Sequence, residues 1–377
     1  MTSPAAPRGH AVFHDLKVAD VRRLTDDAVA VTFAVPPELR TAYGFRAGQH
    51  LALRIPTGTD GGASDRRTYS ICSPEDPEPA ELTVGVREVA GGACSPYVNR
   101  RLAPGETLPV LTPAGRFGLR GAAVPGGRYG AVVGGSGVTP VLSLAATLLG
   151  RDPAARFCLV RSDRSADSAM FLEEVADLKD RYPDRLQVVQ VLSREEQQAG
   201  LPAGRLDAER LTELLPALLP VAEVEGWFLC GPLGLIQQAE RGLRALGVPR
   251  RQIHEEIFHV DDAPAPPPPA SPIALRAWAV PPAVPEHSTL TATLAGRSGS
   301  WPLRPGEKLL DAVLRARPDA PYACRGGVCG TCRAFLVRGE VRMDRSYALE
   351  PDELAAGYVL ACQSHPVTEQ VELDFDG

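Results

Sequence analysis

The chain has 377 residues, of which 44% are hydrophobic and 23% charged, and a formal net charge of −6. Such a length exceeds one ordinary domain and implies two or three, and the composition is that of a folded globular protein. The acidic balance, without any Lys/Arg run, argues against a nucleic-acid partner.

Met1 to Leu16 contains no apolar signal core, so the expected location is the cytoplasm. Eight cysteines without a signal peptide argue against a disulfide framework. Four are scattered (Cys72, Cys94, Cys158, Cys230) and four cluster near the C-terminus.

Up to about residue 120 the chain alternates short apolar runs with Gly and Pro, as in Gln49–Ile55 and Glu81–Arg87, which predicts an antiparallel β-barrel. Within it, Arg66 to Ser73 reads Arg-Arg-Thr-Tyr-Ser-Ile-Cys-Ser. A guanidinium suits a phosphate, an aromatic ring suits a flat conjugated ring, and a hydroxyl suits a ring nitrogen. A barrel strand with one aromatic is the plain alternative. Gly92-Ala93-Cys94-Ser95 follows the next strand, and Ser95 is expected to open a short helix.

From residue 121 the texture becomes strand–helix alternation. Tyr129–Val133, Phe157–Val160, Leu186–Val191 and Gly226–Cys230 read as strands, and Pro140–Leu149 and Ala169–Arg181 as helices. That pattern predicts a mostly parallel sheet. Ala131 to Gly150 is apolar, but Gly134, Gly135, Gly137, Pro140 and Ser143 interrupt it, which fits a strand, loop and helix better than a membrane span of about 20 residues. In the loop Gly134-Gly135-Ser136-Gly137-Val138-Thr139-Pro140, Thr139 suits an N-cap and Pro140 a first helical position. Its glycines permit close approach of a pyrophosphate to the helix end. A plain strand-to-helix turn is the alternative. Ser193-Arg194, with Arg164, offers a hydroxyl and guanidinium groups for a dianionic phosphate; as solvated loop charges they would do nothing, and Glu195 and Glu196 weaken the local field. Cys230-Gly231-Pro232 ends a late strand, where a buried inert thiol is the alternative.

Asp261 to Glu286 is dense in proline, with a short ordered piece possible at Ile273 to Trp278, and reads as a semi-rigid tether rather than a recognition motif. Beyond it, Cys324, Cys329 and Cys332 stand at C-x4-C-x2-C spacing in a Gly-rich loop, with Cys362 thirty residues on. That is the plant-type [2Fe–2S] spacing. A four-cysteine zinc site is the alternative, although zinc ribbons present two close cysteine pairs.

A cluster that moves one electron at a time needs a converter if its donor is a nicotinamide, and flavin is the usual one. On the motifs above, together with Pro113-Ala114-Gly115-Arg116-Phe117 and Glu256-Ile257-Phe258, the chain resembles the ferredoxin-NADP reductase superfamily carrying a C-terminal plant-type ferredoxin. Phe171 to Glu174, Asp177 to Pro183 and Gly204 to Asp207 are similar to the reductase components of ring-1,2-phenylacetyl-CoA epoxidases.

The resemblance implies a multidomain protein: an antiparallel Greek-key β-barrel for FAD at 8–120, an α/β parallel-sheet nicotinamide domain at 121–260, a linker at 261–286, and an α+β β-grasp ferredoxin domain at 287–377. It implies FAD rather than FMN at Arg67, Tyr69, Ser70, Val86, Arg87, Gly92, Cys94 and Ser95, with Phe258 over the ring. It implies NADPH at Gly135, Gly137, Thr139, Pro140, Arg164, Ser193, Arg194, Cys230, Gly231 and Pro232. Ser70 and Cys230 flank the hydride path, and an oxygenase component takes the electrons. The same core would serve the reductase of an aromatic-ring dioxygenase or another monooxygenase, and a redox-sensing or docking iron–sulfur protein is the reading from another class. One departure stands out: Arg161-Ser162-Asp163-Arg164 occupies a place where the family tends to show Tyr-Gly-Asn-Arg.

Overall fold

A computed structural model describes residues 12–57, 64–119, 121–194, 204–259 and 288–377. These fall into two compact units, one within residues 15–263 and the other within 264–377. The expected tether with its Ile273–Trp278 piece, and Glu195 and Glu196, lie outside the described residues.

The first unit begins with strands β1 (Phe13–Thr25), β2 (Ala28–Ala34), β3 (His50–Pro56), β4 (Ser64–Ser70), β5 (Glu81–Arg87) and β6 (Thr107–Leu111), with helix α1 (Ser95–Arg100) between the last two. They form a six-stranded sheet in the order β4-β3-β6-β1-β2-β5. An antiparallel bridge between Ile71 and Val84 joins its two edges, so the sheet closes as a barrel. Strand periodicity of two decides what lies inside. In β1, Leu16 and Val18 are buried while Lys17 is exposed; in β3, Leu51, Leu53 and Ile55 enter the barrel core. His50, also buried, faces the other side of β3.

Next come β7 (Arg128–Gly134), α2 (Val138–Arg151), β8 (Arg156–Asp163), α3 (Leu172–Arg181), β9 (Leu186–Leu192), α4 (Ala208–Leu218), β10 (Val224–Pro232), α5 (Leu233–Ala245) and β11 (Ile253–His259). The strands are parallel, in the order β11-β10-β7-β8-β9. From β7 the chain winds outward through β8 and β9, then returns to the other side of β7. The switch point between β7 and β10 leaves a crevice at the carboxyl ends of these strands, where ligands bind in doubly wound folds.

Two helix starts differ from expectation. A 3-10 turn over Gly135–Gly137 feeds α2, which begins at Val138. Thr139 is therefore inside the helix rather than its cap, and its Oγ1 donates to the Ser136 carbonyl at 2.9 Å. Helix α3 begins at Leu172 rather than Ala169, because Phe171 takes a left-handed φ of 55°. Ala169, Met170 and Phe171 are buried instead, the last two in a core shared with the barrel residues Ala28, Ala30 and Phe117. Packing outweighs helix propensity there. The apolar run Ala131–Gly150 resolves into β7, the turn and α2, and among the described residues no helix is long and apolar enough to cross a membrane.

The second unit comprises β12 (Thr289–Leu294), β13 (Arg297–Pro302), α6 (Leu309–Ala316), β14 (Arg333–Arg338), β15 (Val341–Met343), α7 (Pro351–Ala356), β16 (Tyr358–Leu360), β17 (Ser364–Pro366) and β18 (Gln370–Asp374). Its mixed sheet runs β13-β12-β18-β14-β16, with β12 and β18 parallel, while β15 and β17 pair separately. Leu309, Leu310, Ala312 and Val313 of α6 fill a core with Leu290, Leu360 and Leu373. This is a helix grasped by a sheet, an α+β arrangement.

Candidate functional site

Of the expected flavin residues, Arg67, Tyr69 and Cys94 come together, whereas the Val86 side chain is fully buried in the barrel core and the Arg87 guanidinium lies beside Gly135. Arg67 and Tyr69 share one face of β4, opposite Leu53 and Leu51, whereas Ser70 shares the other with His50. The Tyr69 hydroxyl is raised by burial, then by the nearby Cys94, with Arg67 opposing. Arg67, Tyr69 and Cys94 thus converge. The Arg67 guanidinium is about one-third exposed and pairs with Asp65 at 2.7 Å. Behind them, Ser95 opens α1 and its Oγ accepts the Val89 amide at 2.9 Å, so the hydroxyl is used to shape the loop. Asn99 donates to the carbonyls of Val86 and Ser95 at 3.2 and 3.0 Å, which ties β5 to this helix. A β carbon on Gly92 would lie 3.0 Å from the Val89 carbonyl oxygen and 3.2 Å from Ser95 Oγ, so the turn is tight. An aromatic ring flanked by a guanidinium and a closed amide loop fits a flavin.

Ser70 leads to a cluster that sequence reasoning did not assemble. Its Oγ lies 3.4 Å from Glu256 Oε2, and Glu256 Oε1 lies 3.9 Å from His50 Nδ1. Burial raises the Glu256 carboxyl to about 8, with the Ser70 hydroxyl opposing. Burial lowers His50 to about 4. Both groups are therefore neutral near pH 7. Among the described residues His50 Nε2 is buried without a hydrogen-bond partner, an orphaned polar atom beside the expected ring site. Cys230 is fully buried, and its thiol is pushed up by burial and then by Glu256, so it is a neutral thiol beside the same carboxyl. The only signal for His50 was a polar residue at the start of β3, which also carries Arg54; Glu256 stood out for its motif, not its proton. Phe258 packs, half-buried, against the shared core.

Across the crevice, the glycine loop and Cys230-Gly231-Pro232 interlock. A β carbon on Gly137 would fall 2.1 Å from the Cys230 carbonyl oxygen, and one on Gly231, whose φ is +138°, would fall 2.8 Å from the Gly134 oxygen. Only glycine permits that approach. Pro140 lies buried within the first turn of α2. Ser193 and Arg194 continue β9: their amides donate to the carbonyls of Asp163 and Arg164, each at 2.9 Å, which places Arg164 beside them. Arg164 is not free, since its Nη2 donates to Asp27 Oδ2 at 3.0 Å.

The departing segment has its own logic. Arg161 and Asp163 face the same side of β8 and pair at 2.7 Å with side chains 2% and 1% exposed. Arg161 Nη2 also donates to the Met170 carbonyl at 3.1 Å, fixing the turn before α3. Either residue alone would leave a buried charge, so the two belong together.

In the second unit the four expected ligands form two hydrogen-bonded pairs. Cys329 donates to Cys324, whose thiol falls to about 6 through that bond, against burial and with help from the amides of Val328, Gly326 and Cys329. Cys332 donates likewise to Cys362. Among the described residues no three His, Cys, Asp or Glu side chains stand close enough together to hold a metal ion. Gly326 N lies 3.3 Å from Cys324 Sγ, and Gln363 Nε2 lies 3.6 Å from Cys362 Sγ. Left-handed φ angles at Arg325, Gly327 and Gly330 turn the loop around the sulfurs. Two thiol pairs ringed by donors fit a two-iron cluster.

Comparison with known proteins agrees with both halves. Residues 132–241 match an oxidoreductase NAD-binding domain and residues 293–367 a 2Fe-2S iron-sulfur cluster binding domain. The chain is 41% identical over 365 residues to a component of the 1,2-phenylacetyl-CoA epoxidase of Escherichia coli K12, covering 97% of this chain and 98% of that protein. It is 32% identical to the ferredoxin reductase component of 3-ketosteroid-9-alpha-monooxygenase of Rhodococcus rhodochrous, over 100% of both chains. Phthalate dioxygenase reductase shares the fold, with a TM-score of 0.59 at 22% identity over 96% of this chain and 98% of that one.

Proposed function

The chain belongs to the ferredoxin-NADP reductase superfamily, among the oxygenase reductase components that join flavin and nicotinamide parts to a [2Fe–2S] domain, and from that membership we propose that it takes electrons from NADPH through FAD to the cluster and delivers them to a phenylacetyl-CoA-epoxidizing oxygenase. The observation that carries the acceptor is the 41% identity along 97% of the chain to the epoxidase component. The cytoplasm is the proposed location. The relatives that serve 3-ketosteroid and glycine betaine monooxygenases support a second reading, the same reductase core with another oxygenase as acceptor.

When bound, flavin takes a hydride from a reduced nicotinamide and releases electrons singly, which the cluster relays. The chain's own residues prepare that exchange. Arg67 would supply positive charge to a flavin phosphate, Tyr69 would pack on the ring, and the Cys94-Ser95 turn would close the loop beside it. Ser70 and Cys230 would flank the place where nicotinamide and flavin meet, and their neutrality would avoid an unpaired charge in a dry site. Glu256 holds a proton on its carboxyl within reach of Ser70 Oγ, which keeps that contact uncharged. Ser193, Arg194 and Arg164 form the proposed 2′-phosphate grip, which favours NADPH. Cys324 with Cys329, and Cys332 with Cys362, would each hold one iron.

The test is reconstitution. Purified protein, an epoxidase oxygenase and phenylacetyl-CoA should yield the epoxide with NADPH and much less with NADH. Turnover only with a steroid or betaine oxygenase would replace the proposed acceptor while leaving the reductase chemistry in place.

A further inference from the structure

Gln363 directly follows Cys362 and is only 3% exposed, which is rare for a glutamine. Its main chain is engaged on both sides: the amide donates to the Leu360 carbonyl and the carbonyl accepts from the Asp344 amide, each at 2.9 Å. Asp344 is itself fixed, with nitrogens of Lys308, Arg342 and His365 at 3.2, 3.0 and 3.0 Å from its carboxylate oxygens. The side chain is aimed by what surrounds it. Its stem packs at Gly327, where a β carbon would fall 3.0 Å from Gln363 Cγ. Its Nε2 donates to the Arg325 carbonyl at 2.7 Å and to the Cys362 carbonyl at 2.9 Å, and lies 3.6 Å from Cys362 Sγ. We propose that Gln363 is a positioning residue for the cluster: it ties the Cys324 arm of the loop to the fourth ligand and, through the Cys362 sulfur, raises the potential at which the cluster takes its electron.

This rests on reading the four cysteines as [2Fe–2S] ligands. Three of them stand on one loop, whereas Cys362 follows β16, so a cluster holds its shape only if the two segments stay in register. Gln363 joins them within one side chain. The Arg325 carbonyl is turned toward it by a left-handed φ of 52°. The Arg325 guanidinium is held away, paired with Asp311 at 3.1 Å and 4.8 Å over the Tyr322 ring. Left uncovered, that buried carbonyl dipole would sit beside an anionic cluster, and the Gln363 amide covers it. The same amide has a redox consequence. A hydrogen bond strengthens as its acceptor gains negative charge, and the added electron raises the charge on the sulfurs. A donor near Cys362 Sγ therefore stabilises the reduced cluster more than the oxidised one.

The holoprotein with Gln363→Met tests the assignment, since methionine keeps the length of the side chain and removes its donors. A redox titration followed by the cluster's electron paramagnetic signal should place the variant about 59 mV below the wild type, a tenfold smaller constant for one-electron reduction. Iron should also leave the variant faster when a chelator is added. A wild-type potential, or a wild-type rate of iron release, would overturn the proposal. If the variant takes up no cluster, the reduced wild type labelled with 15N in its glutamine side chains decides. Pulsed paramagnetic resonance should then show a nitrogen coupled to the cluster that the unlabelled protein lacks, and its absence would overturn the proposal too. A wild type without any [2Fe–2S] spectrum would instead sink the parent reading of the cysteines.

Discussion

At the scale of single residues, the legible part was chemical type. Arg67, Tyr69 and Ser70 read as a flavin site because each carries a group that a flavin needs, and Cys324, Cys329, Cys332 and Cys362 read as cluster ligands by spacing. His50 was not legible: it sits in His-Leu-Ala-Leu-Arg-Ile, which reads as a barrel strand, and its partner Glu256 lies on β11 of another sheet. Their meeting has a consequence for pH. Glu256 keeps its proton to about 8 in the fold, against a usual 4.5, so the folded chain binds more protons over that interval and stability falls as pH rises. His50 drops from 6.5 to about 4, so there the unfolded chain binds more protons and stability rises with pH. The two oppose each other up to 6.5, and only Glu256 acts from 6.5 to about 8. Thermal unfolding followed by flavin release should therefore show the wild type losing stability between those last two values relative to Glu256→Gln. Parallel curves would show that Glu256 carries no held proton.

At the scale of elements, the strand and helix texture gave the sheet, but two helix starts moved. Local rules favour Thr139 as a cap and Ala169 as a helical residue, and both lost to tertiary contact: the interlock with Cys230 pulls the glycine loop into a 3-10 turn, and the shared core draws in Met170 and Phe171. Gly137 shows how tight the interlock is. Its φ is an ordinary −61°, so alanine suffers no backbone penalty there; the cost is space alone. With a β carbon 2.1 Å from the Cys230 oxygen, Gly137→Ala must push the loop from β10. The expected outcome is a loss of about 1–3 kcal/mol in the flavin–nucleotide unit, with NADP+ affinity lost and the cluster spectrum unchanged. Wild-type nucleotide binding in that variant would show that the two loops need not touch.

At the scale of the whole molecule, two compact units divide the work, one built around the crevice and one around the cysteine loop. Cys329→Ser removes one of a thiol pair in the second unit. It should abolish cytochrome c reduction and the cluster's electron paramagnetic signal, while NADPH still bleaches the flavin at the wild-type rate; loss of both activities in a folded variant would contradict the division. The sequence by itself determined the identity of the parts and their order, because barrel alternation, βαβ texture, the Gly135 loop and the cysteine spacing are local patterns, each set by neighbours along the chain. Only the tertiary structure decided which groups face one another. It paired Arg161 with Asp163 in a buried strand face, brought Glu256 between Ser70 and His50, and turned Arg87 from its own barrel toward the nucleotide loop. Those relations depend on burial and on charges brought together from distant strands, and no local pattern encodes either.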